Sequence, residues 1–385
     1  MKVAIVSFGH ADSIISLPKY LVNYVNVDLY FAFSLDRKRN NIIDFTSINV
    51  QPGLQNNETS QKVFSNEIKK YIENKFGLKL FIYKNLKFKS FKNWILSYKF
   101  SRVLKKYDII HFNGDHAVLP QLILFLIGKK KVFTIHDFYP HSGEGQRNII
   151  QNFLRWFQTN SKYPIILQNK NDYNQFFVNS KVKKNKVFFV PFGYLEIYKS
   201  FLNSNIKINN KSDILFFGRI SPYKGIEYLL EAFKIVLKKY PKLKLLIVGS
   251  GNIYFDKKYI NETSNITLIN RFIDSHELVS MIKTTKLVVC PYTDATQSGV
   301  AMTAFAFNKP VVATNTGGFK DVIINSENGY LVPQKDSISL AETIIKIFSH
   351  RDELIKLENN INKFSEKGIF AWKNIAKSIL DIYKR

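Results

Sequence analysis

Short apolar runs alternate with helical patterns along the whole chain, and this alternation restricts it to an α/β architecture with parallel sheets. In the first half, Val3–Ser7, Val27–Phe33, Ile109–Phe112, Val132–Ile135, Ile165–Leu167 and Val187–Val190 read as strands, and Phe91–Lys106 as a helix. Asn40 to Ser65 is polar and weakly patterned and reads as a loop. After Val190-Pro191-Phe192-Gly193 the alternation pauses, and the polar stretch 200–211 reads as a linker. It then restarts with a strand at Ile214–Phe217 and a helix over Gly225–Tyr240, whose Ile226, Leu229, Leu230, Phe233, Val236 and Leu237 share one face. Strands follow at Leu243–Val248, Ile266–Ile269, Leu287–Cys290, Pro310–Ala313 and Gly329–Val332, with helices at Ser337–Phe348 and Phe370–Tyr383. A chain of 385 residues exceeds one compact core. The expected layout is therefore two Rossmann-like, doubly wound domains facing across a cleft. They span residues 1–199 and 212–365, with a last segment, 366–385, packing back on the first domain.

No apolar run approaches the roughly 18 residues a membrane-spanning helix needs. Met1–Phe8 reads as a buried strand and not a signal peptide, because His10 and Asp12 interrupt it. The single cysteine, Cys290, lies in an apolar strand and reads as a small packing residue, in keeping with a cytoplasmic protein. The net charge of +26 is uneven. Residues 1–200 hold 30 basic and 13 acidic side chains (+17), and the rest hold 26 and 17 (+9). From Lys79 to Lys106 there are nine basic residues and no acidic one, interleaved with Phe81, Tyr83, Phe88, Phe91, Trp94, Tyr98 and Phe100. Such a segment suits an anionic membrane surface. It also suits nucleic-acid phosphates, although a lysine-rich composition throughout explains much of the charge without any partner.

The most telling ten residues are F-F-G-R-I-S-P-Y-K-G at 216–225. A strand enters a glycine turn, Arg219 and Lys224 follow, and a long helix begins. Gly218 lets the backbone turn sharply. Two cations at a strand's C-terminal end, beside a helix N-terminus, make a place to hold a diphosphate.

The order of the pieces after residue 212 resembles a GT-B glycosyltransferase of the large retaining nucleotide-sugar family 4 (glycosyl transferases group 1). They are F-F-G-R-I-S-P-Y-K-G-I-E-Y-L-L-E-A-F at 216–233, L-I-V-G-S-G at 246–251, V-V-C-P-Y-T-D at 288–294, S-G-V-A-M-T-A-F-A-F-N-K-P-V-V-A-T-N-T-G-G-F-K-D-V at 298–322, N-G-Y-L-V-P at 328–333 and F-A-W-K-N-I-A at 370–376. The first half matches more loosely, chiefly at Y-D-I-I-H-F (107–112) and T-I-H-D (134–137). The resemblance implies that Arg219 and Lys224 grip the donor's diphosphate and meet the charge that builds as the sugar leaves. It places Gly218, Gly249, Ser298, Gly299 and Val300 around the donor, and Arg271, Phe272 and Ile273 near the nucleobase. It puts His136 close to the transferred sugar. His111 reads as structural, and His116, His141 and Glu144 fall in candidate acceptor loops.

One departure stands out. The family's two glutamates fall here on Ala295 and Thr303. Asp294 lies one residue from the first position and stands in for it, while at the second a threonine hydroxyl replaces the carboxylate that holds the donor ribose. No metal set is evident, and no cofactor is expected beyond the nucleotide-diphosphate sugar. The reading is a retaining transferase acting on a glycan or lipid-linked glycan acceptor in cell-surface polysaccharide synthesis, peripheral on the inner face of the cytoplasmic membrane. The rivals are a nucleotide-sugar epimerase of the same fold, a basic nucleic-acid-binding protein and a non-catalytic partner of another transferase.

Overall fold

The computed structural model describes the chain except residues 41, 74, 137–148, 171, 172, 175, 177–185, 203–210 and 296–298. It forms two compact units. One comprises Met1–Gly193 together with Trp372–Arg385, the other Tyr194–Ala371.

The first unit is built on an eight-stranded sheet of β1 (Lys2–Ser7), β2 (Asn26–Ser34), β3 (Gly53–Leu54), β4 (Gly77–Tyr83), β5 (Ile109–Asn113), β6 (Lys130–Ile135), β7 (Ile165–Leu167) and β8 (Val187–Phe189). Their order is β3-β4-β2-β1-β5-β6-β7-β8, parallel except for the β3–β4 pair. Val3, Ala4, Ile5 and Val6 of β1 are fully buried, as expected of a central parallel strand covered on both faces. The order reverses at β1, whose neighbours are β2 and β5.

Two sequence readings are corrected here. The segment 40–65 is not all loop: β3 crosses it, and Asn57–Val63 is a helix whose N-cap, Asn56, accepts from the Thr59 amide at 2.8 Å. The basic aromatic stretch is not one surface segment either. Its start is β4, where Phe81 and Tyr83 are buried and Lys79 pairs with Asp28 of β2 at 2.9 Å. The helix Phe91–Leu104 turns Phe100 inward onto Phe81, with ring centroids 4.1 Å apart, and leaves Phe91, Ile95 and Tyr98 exposed.

The helix Trp372–Lys384 completes this unit. It buries Trp372, Ile375, Ile379 and Tyr383 and packs on the helix Ser16–Leu21. A side chain at Gly193 would meet the Trp372 indole at 2.6 Å, so the chain passes that ring as bare backbone.

The second unit carries a six-stranded, fully parallel sheet of β9 (Ile214–Phe217), β10 (Leu245–Gly249), β11 (Ile266–Asn270), β12 (Leu287–Cys290), β13 (Val311–Thr314) and β14 (Gly329–Val332), in the order β11-β10-β9-β12-β13-β14. Its long helices are Ile226–Lys239, Ser275–Thr284, Ser337–Ser349 and Arg351–Lys367. Asp274 and Asp336 cap two of them, each accepting a backbone amide of its helix's first turn. The stretch read as a linker begins inside this unit. Residues Glu196–Phe201 form a short 3-10 helix that buries Ile197, Tyr198 and Phe201, and His276 bonds the Phe201 carbonyl at 2.9 Å.

Candidate active site

In the second unit the strand order reverses at β9, between β10 and β12. Ligands of open α/β sheets bind outside the strand C-termini at such a point. The turns there are shaped by glycines. Gly218 (φ +131°) leaves β9 and Gly249 (φ +153°) leaves β10. A Cβ on Gly249 would lie 1.7 Å from the Gly218 carbonyl oxygen, so only glycine lets the two turns touch. The Ile220 amide donates to the Ser250 carbonyl at 3.0 Å, holding the turns side by side. Gly225 (φ +63°) starts the helix Ile226–Lys239 against the exit of β12, where a Cβ would stand 2.1 Å from the Pro291 oxygen.

That approach sets Lys224 over an aromatic platform. Its ammonium lies 3.6 Å from the centroid of the Tyr292 ring and 4.8 Å from that of Tyr223. The Thr293 amide donates to the Tyr223 carbonyl at 2.8 Å and locks the two loops together. Burial pushes Lys224 down to about 8; nearby Cys290 opposes this and the charge of Arg219 adds to it. Burial drives the Cys290 thiol up to about 12, so it stays neutral and packs. Arg219 is exposed, and among the described residues neither cation makes an ion pair. Two adjacent, uncompensated positive charges remain at the switch point.

The other expected donor contacts are partly gathered here. Val300 lies in the helix Gly299–Ala306, and its Cγ2 would be 3.6 Å from a Cβ on Gly218, so these two positions adjoin. Thr303 is buried, and its hydroxyl donates to the Gly299 carbonyl at 2.7 Å, leaving the oxygen as an acceptor only. Asp294 follows β12 and is half-buried. Arg271, Phe272 and Ile273 follow β11, two strands from β9. Arg271 is held by Glu277 through two bonds of 2.8 and 2.6 Å and by the Phe272 carbonyl at 3.1 Å. Ser298 lies outside the described residues, as do Asp137, His141 and Glu144.

His136 belongs to the first unit, just past β6, and its neighbours there are local. Its ring stacks on that of His10 with centroids 4.3 Å apart. Gly9 (φ +131°), His10 (φ +49°) and Gly114 (φ +83°) form the turns after β1 and β5, and a Cβ on Gly114 would lie 3.6 Å from the His136 ring. Burial, then the charge of His10, holds His136 well below the ordinary histidine range, so it is neutral at pH 7. Its Nε2 is buried without a hydrogen-bond partner among the described residues. His111 has both ring nitrogens engaged, with Tyr383 at 2.6 Å and Thr134 at 2.7 Å, and is a packing residue. Among the described residues no three His, Cys, Asp or Glu side chains converge on a metal position.

Sequence reasoning missed three groups. Tyr292 is the platform under Lys224, and His10 is the ring that covers His136. Glu227, in the first turn of the helix Ile226–Lys239, has a buried Oε2 with no hydrogen-bond partner among the described residues. The signal for His10 was a glycine-histidine pair directly after the first strand, where strand-end loops carry function.

Comparison with known proteins bears on the family and the fold. Residues 199–367 match the model of the glycosyl transferases group 1 family. Over 308 residues the chain is 26% identical to an uncharacterized glycosyltransferase of Methanocaldococcus jannaschii, covering 77% of this chain and 82% of that protein. It is 29% identical over 185 residues to the capsular polysaccharide biosynthesis glycosyltransferase CapM of Staphylococcus aureus, a match spanning 46% of each, so it reaches less than half of CapM. Among solved structures, HepE of Anabaena in complex with UDP and glucose aligns over 100% of this chain and 99% of its own, with a TM-score of 0.65 and 16% identity, a likeness of fold alone. Residues 199–367 are therefore a group 1 glycosyltransferase domain, and the chain that carries it is a glycosyltransferase of GT-B fold.

Proposed function

We propose that the protein transfers a sugar from a nucleotide-diphosphate sugar to a glycan hydroxyl, with retention at the anomeric carbon. The observation that carries this reading is the pair Arg219 and Lys224, uncompensated at the switch point of the second sheet. Their charges suit the two phosphates of a donor. In the transfer, the bond between the anomeric carbon and the β-phosphate oxygen breaks, and the acceptor oxygen bonds to that carbon on the same face. The acceptor's proton passes to the departing phosphate, and a nucleoside diphosphate leaves. Charge grows on the phosphate oxygen as the bond lengthens, and fixed cations there stabilise that state more than the ground state. HepE was solved with UDP and with UDP-glucose, which favours a nucleotide sugar here as well.

We place the acceptor at an anionic membrane surface, in cell-surface polysaccharide synthesis. The kinship with CapM supports the pathway class. The helix Phe91–Leu104 supports the surface, because Phe91, Ile95 and Tyr98 are exposed on the same helix as the exposed cations Lys92, Lys99 and Arg102.

A thermal-shift screen with UDP, GDP, ADP and their sugars tests the central claim. One nucleotide should raise Tm, and Arg219→Ala with Lys224→Ala should abolish the shift. A shift that survives in the double variant would remove the basis of the proposal. Product analysis by NMR then tests the stereochemistry, where an inverted anomeric centre refutes retention. Conversion of the nucleotide sugar to an isomer without any acceptor would favour an epimerase.

A further inference from the structure

A second cationic site lies in the first unit, at the other end of its sheet from His136. The N-terminal ends of β6, β7 and β8 frame a cavity of about 710 Å³, and its lining includes Lys129, Lys130, Lys162, Lys186 and Arg385 but no Asp or Glu. Lys130 begins β6 and Ile135 ends it. At about 3.3 Å per residue, these two ends stand roughly 17 Å apart.

Three of the five cations are held by neutral acceptors. Lys129 donates to the Tyr107 carbonyl at 2.7 Å, and Lys130 to the Tyr383 carbonyl at 2.6 Å. Lys186 donates to the carbonyls of Gln158 (3.2 Å) and Thr159 (2.6 Å), at the C-terminal end of the helix Ile149–Asn160. The Arg385 guanidinium stands 5.0 Å from the centroid of the Phe188 ring. Carbonyls and rings orient a cation but leave its charge uncancelled. Among the described residues no ion pair supplies a carboxylate to any of the five. The neighbouring Lys131 lies within the field of one of them, Lys162. Its ammonium is buried beneath the Tyr163 ring, and burial together with the charge of Lys162 pushes it down to about 8.

We propose that this cavity binds a phosphate-bearing ligand, with its phosphoryl oxygens among Lys130, Lys162, Lys186 and Arg385 and its carbon portion against Tyr163 and Phe188. Several cations around one volume, some of them anchored by carbonyls, suit a group with multiple anionic oxygens, and the flanking rings give an apolar wall. The site is separate from the donor pocket, which belongs to the other unit. Its ligand is either a soluble phosphate ester or a lipid headgroup.

The test uses the full chain carrying Arg219→Ala and Lys224→Ala, so that the donor pocket cannot answer for pyrophosphate. A second protein adds Lys162→Glu and Arg385→Glu, both exposed and neither anchoring a carbonyl among the described residues. Calorimetry measures inorganic pyrophosphate, and co-sedimentation measures vesicles of phosphatidylglycerol in phosphatidylcholine. At least tenfold weaker pyrophosphate binding in the second protein, with vesicle binding unchanged, supports the site and assigns a soluble phosphate ester. A tenfold fall in vesicle binding supports the site and assigns a lipid headgroup. Equal behaviour of the two proteins towards both probes overturns the proposal. So does an equal fall caused by Lys238→Glu with Lys242→Glu, placed in the other unit, which would show a general charge effect.

Discussion

Lys224 offers the sharpest test of the donor pocket, because its charge there is costly when the pocket is empty. Burial brings it from the ordinary lysine range down to about 8. Each pKa unit corresponds to about 1.36 kcal/mol, so charging this ammonium in the empty site costs roughly 3 kcal/mol more than in water. A diphosphate beside it supplies the missing counter-charge and returns the group to its ordinary range or above. Binding must then take up a proton once the pH exceeds about 8. By linkage, the apparent affinity changes little below that point and falls about tenfold between pH 7 and pH 9. Lys224→Arg keeps a cation that does not titrate in this window, so its affinity should be independent of pH whatever its absolute value, since the two side chains are not equivalent at a stacked site. The assay is calorimetry between pH 6.5 and 9.5 with the nucleotide sugar that gives the largest thermal shift. Two buffers of different ionisation enthalpy read the proton uptake directly. A wild-type profile that stays flat to pH 9.5, or an arginine variant with the same slope, would refute the assignment of Lys224 to the diphosphate.

Three further outcomes follow from the same geometry. Gly249→Ala forces a Cβ onto the Gly218 carbonyl at a backbone angle that disfavours side chains, and should cost at least about 3 kcal/mol, seen as a Tm fall of roughly 6–12 °C in calorimetry. His136→Gln should lower turnover about 10–100-fold while the nucleotide-induced thermal shift persists, because the diphosphate cations belong to the other unit; unchanged turnover would make this histidine purely structural. Reversing Lys92, Lys99 and Arg102 to glutamate should weaken binding to anionic vesicles about a hundredfold, at about 1 kcal/mol for each lost basic residue, and undiminished co-sedimentation would rule out this helix as the membrane contact.

The alternating pattern and the Gly218–Gly225 turn were legible because apolar strands bounded by glycines signal themselves locally. The strand β4 was not, because Lys79 breaks its apolar run and its neutralising partner, Asp28, stands on a strand about fifty positions earlier. The helix Arg351–Lys367 escaped for a related reason: over 17 residues it buries only Leu357 and Ile361, too thin a stripe to show as a period. The two cations proposed to hold the donor could be named from sequence, but their environment could not. Tyr292 reaches Lys224 only because Gly225 brings two distant loops together, and His10 covers His136 only through the order of β1, β5 and β6. The basic aromatic stretch divided because it spans a strand buried on both faces at Leu80–Tyr83 and then a helix with one face exposed, and no charge count separates the two.

The first unit is discontinuous in the chain, since its last helix arrives only after the 178 residues from Tyr194 to Ala371. On the ribosome, at about 5–20 residues per second, that interval lasts on the order of 10–40 s. During it Tyr383 is not yet made, and the His111 imidazole and the Lys130 ammonium await their partners. The nascent N-terminal half must therefore persist with the seat of its last helix bare, open to chaperones and to aggregation. The C-terminal half, contiguous in sequence, can finish folding before the half that was translated first.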